Sequence, residues 1–154
     1  MVNILALTRM CHALGNAMAL HGGGQILNVA SVAAFQPGPW MSTYYASKAY
    51  VLHFSEGLRE ELKTCGIKVS VLCPGPTRTA FFGTAQMDTA KLDRSQQLMS
   101  PEEVALYTVR ALARNKAIII PGRRNRWLAF SPRLSPRWLT RKIAGAINKA
   151  YCPR

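Results

Sequence analysis

Tyr44 and Lys48 are the two residues of this chain whose types and spacing could do chemistry together. Four positions apart, they stand one turn above each other on the same face of a helix. A phenol titrates near pH ~10, too high for easy proton exchange at neutrality. An ammonium fixed beside it stabilises the phenolate, so that Tyr44 could give a proton to a substrate oxygen or take one from it. The spacing alone is weak, because chance supplies it in roughly a fifth of chains of this composition. Its meaning rests on what else converges on the same place.

The elements that must position the pair follow from hydropathy patterning. Ile4, Leu7, Cys11, Leu14 and Met18 recur at three- and four-residue steps and predict a helix from Met1 to about Leu20 with one apolar stripe. His21-Gly-Gly-Gly24 ends it as a flexible helix-to-strand turn. A phosphate cradle needs the reverse order, glycines after a strand and before a helix. Gln25–Ala30 is a short, mostly apolar strand ending on Ser31. The second helix begins near Thr43 and runs to Cys65, with Val51, Phe54, Leu58, Leu62 and Cys65 on one face and the pairs Glu56/Arg59 and Glu60/Lys63 on the wet side. Gly66 stands where a left-handed cap is expected. Ile67–Cys73 is a β-branched run stopped by Pro74-Gly75-Pro76. Residues 77–99 lack periodicity and read as a loop, after which Ser100-Pro-Glu-Glu103 opens a helix with a capping box. Ala117–Ile120 is a last strand. Strands alternating with helices imply an α/β fold with a parallel, doubly wound sheet, whose ligands bind beyond the carboxyl ends of the strands. Ser31 and Pro74-Gly75 both fall on that edge.

Val2-Asn3, Asn28-Val-Ala-Ser31, Tyr44-Tyr-Ala-Ser-Lys48 and Pro74-Gly75 with Thr79 thus form an ordered series. In order and spacing the series resembles the short-chain dehydrogenase/reductase family, from residue 1 to about residue 122. The resemblance implies a Rossmann-like domain and hydride transfer between a nicotinamide cofactor, NAD or NADP, and a carbonyl or alcohol substrate. It also implies roles for Asn3, Ser31, Tyr44 and Lys48 as catalytic residues. Tyr44 would be the acid/base, Ser31 would orient the substrate oxygen, and Asn3 would hold a relay water. Lys48 would lower the pKa of Tyr44 and bind the nicotinamide ribose. Tyr44, Lys48, Pro74, Gly75, Thr77 and Thr79 would face the cofactor, and the full-length form would be a homo-oligomer.

The family's T-G-x-x-x-G-x-G turn, which binds the diphosphate, and its N-N-A-G segment do not occur here. The expectation is therefore the catalytic, C-terminal half of such a domain, about three strands with flanking helices, with the N-terminal half missing, inactive on its own and with an open edge on its first strand. The alternative is a non-enzymatic product that binds a membrane or a partner and keeps the catalytic residues as relics.

One domain is expected of 154 residues with 49% hydrophobic content. Four scattered cysteines without a C-x-x-C suggest neither zinc nor a disulfide framework, and thiols of this kind fit a cytoplasmic protein. No apolar run approaches the roughly 18–20 residues of a membrane span. Of the 20 Lys and Arg, eleven lie in residues 114–154, which hold none of the 7 Asp and Glu. The +13 charge is thus concentrated in a basic, amphipathic C-terminal segment, 123–154. From Trp138 its pattern is helical, with Leu139, Ile143 and Ile147 on one side and Arg141, Lys142 and Lys149 largely elsewhere. An anionic membrane surface, and a docked segment that lids the substrate pocket or touches a partner subunit, are both open readings of it. No nucleic-acid motif accompanies the charge. The apolar residues of the 77–99 loop, among them Phe81 and Phe82, hint at a lipophilic substrate.

Overall fold

The computed structural model describes residues 2–78 and 98–151, with residues 2, 3 and 151 by backbone alone. A π-helical turn, Val2–Ala6, leads into α1 (Leu7–Leu20). There follow β1 (Gly24–Val29), a 3-10 turn (Val32–Phe35), α2 (Ser42–Leu62), β2 (Ile67–Leu72), α3 (Pro101–Ala113) and β3 (Ile118–Ile119). The C-terminal segment forms two helices, α4 (Arg123–Phe130) and α5 (Arg137–Tyr151), of which the sequence pattern indicates only the second. The three strands form one parallel sheet in the order β1-β2-β3, with Gly24 opposite Ile67 and Leu72 opposite Ile119. The Rossmann-like α/β arrangement is the one expected.

Alternation along the strands sends residues to two layers. Ile26 of β1 and Val69 and Val71 of β2 pack under α1 and α2 with Cys11, Val51 and Leu52. Leu72 and Ile119 face the other way, against Val104 and Ala111 of α3. That second face is half covered: α3 shields β2 and β3, while Val29 at the β1 edge is 50% exposed.

Local chemistry explains the boundaries. Ser100 accepts from the Glu103 amide at 3.2 Å and its own amide donates to the Glu103 carboxylate at 2.8 Å, the reciprocal cap expected at the α3 start. Gly66 takes φ +71° at the turn into β2. Gly23 has φ +126°, and a Cβ there would lie 2.7 Å from the Gly66 carbonyl oxygen, so the turns preceding β1 and β2 touch backbone to backbone.

Three expectations need correction. Glu56 and Arg59 do not pair. The Arg59 guanidinium reaches inward instead, donating to the Val69 carbonyl and, at 2.9 Å, to the carbonyl of Asn115, while Glu56 lies 3.6 Å from His53. A guanidinium with several donors gains more from these fixed carbonyls than from one solvated carboxylate. Glu60 and Lys63 do approach, at 3.9 Å. Cys65 is exposed, because α2 gives way at Leu62 to a 3-10 turn that rotates it off the apolar face. The Leu7–Cys11–Met18 line of α1 packs inward, but Ile4 of the opening turn and Leu14 of α1 are exposed, because among the described residues the sheet beneath them ends at β1.

Candidate active site

The 3-10 turn after β1 and the N-terminus of α2 meet beyond the carboxyl ends of β1 and β2. Between them and α3 lies a cavity of about 720 Å³. Ser31, Tyr44 and Lys48 line one wall with Pro74, Gly75 and Thr77. The opposite wall is apolar, with Val104, Val109 and Leu112 from α3, and Ile147 of α5 contributes at the rim.

Lys48 donates to the Val29 carbonyl at 3.0 Å, and its Nζ sits 5.9 Å from the centre of the Tyr44 ring. The amides of Gly24 and Ala30 bond toward β2, so the alternate residues, Val29 among them, point their carbonyls to the free edge. Lys48 satisfies that edge carbonyl and is thereby held over the cavity. Burial pushes its pKa below the usual lysine value, partly offset by attraction to the neighbouring Cys73. The Tyr44 ring meets Tyr45 edge-on at 6.0 Å.

Ser31 is buried in extended backbone, and its hydroxyl accepts from the Ala33 amide at 3.1 Å, capping the 3-10 turn. A hydroxyl has one proton and two lone pairs, so this cap uses none of its donor capacity. Asn28 turns to the opposite side of the sheet. Its amide donates to Ser55 at 2.9 Å and its oxygen accepts from Cys11 at 3.4 Å, so it staples β1 to α2 and α1. Cys73 is fully buried beside the site. Desolvation pushes its thiol up to about 12, against the lowering influence of the Ser31 backbone.

Two asparagines not singled out by spacing hold the surroundings. Asn125 of α4 donates to the Pro121 carbonyl at 2.7 Å and fills the space over Gly75, where an added Cβ would lie 2.3 Å from it. Asn148 of α5 accepts from the Tyr45 hydroxyl at 3.1 Å and donates to the Pro39 carbonyl at 2.9 Å. No local motif marks either residue; the signal lies only in tertiary contact. The structure brings Ser31, Tyr44, Lys48, Pro74, Gly75 and Thr77 to one cavity. Asn3 is placed by backbone in the opening turn, and Thr79, Phe81 and Phe82 lie outside the described residues, with most of the expected 77–99 loop.

The chain could accommodate the nicotinamide end of a dinucleotide, since the cavity joins an apolar wall to a half-buried cation and hydroxyls. Among the described residues the glycines on strand-to-helix connections, such as Gly38 before α2 and Gly122 at the start of α4, stand singly, so no glycine-rich diphosphate cradle forms there. Nor, among them, does any cluster of His, Cys, Asp or Glu suit a metal ion, and no helix is long and apolar enough to cross a membrane.

A family model described as short chain dehydrogenase matches residues 1–90, and the chain belongs to that family. Probable oxidoreductase EphD of Mycobacterium tuberculosis is 33% identical over 132 residues, covering 76% of this chain and 22% of that protein. Dehydrogenase/reductase SDR family member 4 of Homo sapiens is 34% identical over 110 residues, covering 68% of this chain and 40% of that protein. A short-chain dehydrogenase from Sphingobium yanoikuyae, solved in complex with NADPH, superposes with a TM-score of 0.75 at 34% identity, over 86% of this chain and 52% of that one. The chain thus spans about half or less of the length of these relatives.

Proposed function

We propose that these residues form the catalytic half of an oxidoreductase that interconverts a lipophilic carbonyl compound and its alcohol with NAD or NADP. The observation that carries the reading is the meeting of Ser31, Tyr44 and Lys48 on one largely apolar cavity at the carboxyl edge of a parallel sheet. A nicotinamide dinucleotide supplies the hydride acceptor or donor when bound. Tyr44 gives the proton to the substrate oxygen in reduction and removes it in oxidation. The Ser31 hydroxyl donates to the same oxygen and orients it. Lys48 keeps a cation beside Tyr44 and holds the nicotinamide ribose, and Asn3 carries a relay water. Pro74, Gly75 and Thr77 would face the nicotinamide when it is bound, with Thr79, outside the described residues, assigned to it by the motif alone. The apolar wall built by Val104, Val109 and Leu112 favours a lipophilic substrate.

The glycine-rich diphosphate motif does not occur in the 154-residue sequence, and the chain purified alone is expected to give no ketone-dependent loss of NADPH absorbance. The test joins residues 1–154 to the N-terminal half of the Sphingobium yanoikuyae enzyme. Ketone-dependent NADPH oxidation by the chimera is expected, reduced by about 10²–10⁴-fold in Tyr44→Phe. A folded chimera that binds NADPH yet turns over no carbonyl substrate, or whose turnover survives Tyr44→Phe, would overturn the reading.

A further inference from the structure

All three tryptophans of the chain are more than half exposed: Trp40 at 54%, Trp127 at 64% and Trp138 at 55%. Indoles are ordinarily well buried in folded proteins. Each of these has a cation at hand. Lys149 Nζ lies 6.0 Å from the ring centre of Trp40, and Lys142 Nζ lies 5.6 Å from that of Trp138. On α4, Trp127 stacks on Phe130 at 6.4 Å, with Arg123 and Arg126 each four residues before one of the two rings.

The helices of this segment are also turned the opposite way from helices that complete a core. α5 buries Thr140, Ala144 and Asn148, all small or polar, and exposes Trp138 and Ile143. α4 buries Ala129 and exposes Trp127, Leu128 and Phe130. The apolar mass thus points outward inside a field of a single sign, since residues 114–154 contain no acid.

We propose that residues 123–151 dock on an anionic lipid bilayer, with the indoles and Phe130 in the headgroup layer and the Arg and Lys side chains on lipid phosphates. Aromatic rings beside cations suit that interface, where one end of an amphipathic group is apolar and the other wet. Charge complementarity selects anionic lipid. Exposed aliphatic residues such as Leu128, Leu134 and Ile143 gain burial in acyl chains and gain little from stacked nucleic-acid bases. The proposal does not depend on the hydride-transfer reading.

Because all three tryptophans belong to this surface or its border, intrinsic fluorescence reports its docking directly. The full chain should pellet with vesicles containing phosphatidylserine, with a blue shift in tryptophan emission, and not with pure phosphatidylcholine. Added salt should weaken the binding. The exposed pair Trp127→Ala/Phe130→Ala should reduce vesicle partitioning by about tenfold, with an unchanged circular dichroism spectrum. Should that variant misfold, Arg123→Gln/Arg126→Gln, which alters only solvated groups, should weaken anionic binding in its place. Four outcomes would overturn the proposal: no pelleting with anionic vesicles, equal pelleting with neutral ones, binding of an RNA oligonucleotide but not of vesicles, or a lipid-free emission shift that grows with protein concentration and marks a subunit interface.

Discussion

At the scale of single residues, environment separates groups that sequence makes look alike. Cys65 and Cys73 are both followed by a turn, yet one is exposed and the other completely buried. The thiolate is the reactive form, and the Cys73 thiol is held neutral up to about 12. Alkylation of the native protein at mildly alkaline pH should therefore label Cys65 and leave Cys73 unmodified until denaturant is added, as peptide mass mapping would read. The same burial fixes a sign for stability. Above the ordinary thiol value of 9.0 the unfolded chain loses a proton that the folded one keeps, so this group's contribution falls as pH rises from there toward 12. Asn28 and Ser31 make a second contrast. They are three residues apart in one strand-end motif, but the pleat and the turn send Ser31 to the cavity and Asn28 beneath α2. Asn28→Ala should lower stability by about 1–3 kcal/mol in urea unfolding by removing two buried bonds, without altering the cavity. Ser31, Tyr44 and Lys48 were legible as a group because short connections fix how strand end and helix start meet. Asn125 and Asn148 were not legible, since Asn125 packs over Gly75 and Asn148 bonds Tyr45 and Pro39, all far away in the chain.

At the scale of elements, α5 is held to the body by a polar latch. Asn148 bridges the Tyr45 hydroxyl and the Pro39 carbonyl, and Gly145 brings the helix close to Pro39, where an added Cβ would meet it at 3.3 Å. This latch borders the cavity through Ile147. Asn148→Ala should loosen α5 locally, raising amide exchange across residues 137–151 by an amount equivalent to about 1–2 kcal/mol, while β2 and α2 keep their protection. Helix periodicity indicated α5 but not its inner face, because that face consists of Thr140, Ala144 and Asn148, which no hydropathy pattern marks. The sequence pattern does not mark α4 for a related reason: Arg123, Arg124 and Arg126 dominate its first turns, and within this helix Ala129 alone is buried.

At the scale of the whole molecule, β1 has a strand on one side only among the described residues, and Leu27 and Val29 lie partly exposed on the face that α3 leaves open. An uncovered apolar edge is a template for pairing with another chain. The isolated protein should therefore self-associate with rising concentration in size-exclusion chromatography with light scattering. Leu27→Lys should shift it toward monomer.

The sequence by itself determined the α/β class, the strand and helix order, and the group Ser31, Tyr44 and Lys48. Those rest on local periodicity, caps and short connections, which physical chemistry writes into neighbouring residues. Only the tertiary structure decided that Arg59 turns inward, that Asn28 is a staple, and that Asn125 and Asn148 hold the surroundings of the site. It also decided that the basic segment docks by its small and polar residues and turns its aromatic ones to solvent. These depend on which surfaces meet across long stretches of chain, and a residue's own neighbours in sequence carry no record of that.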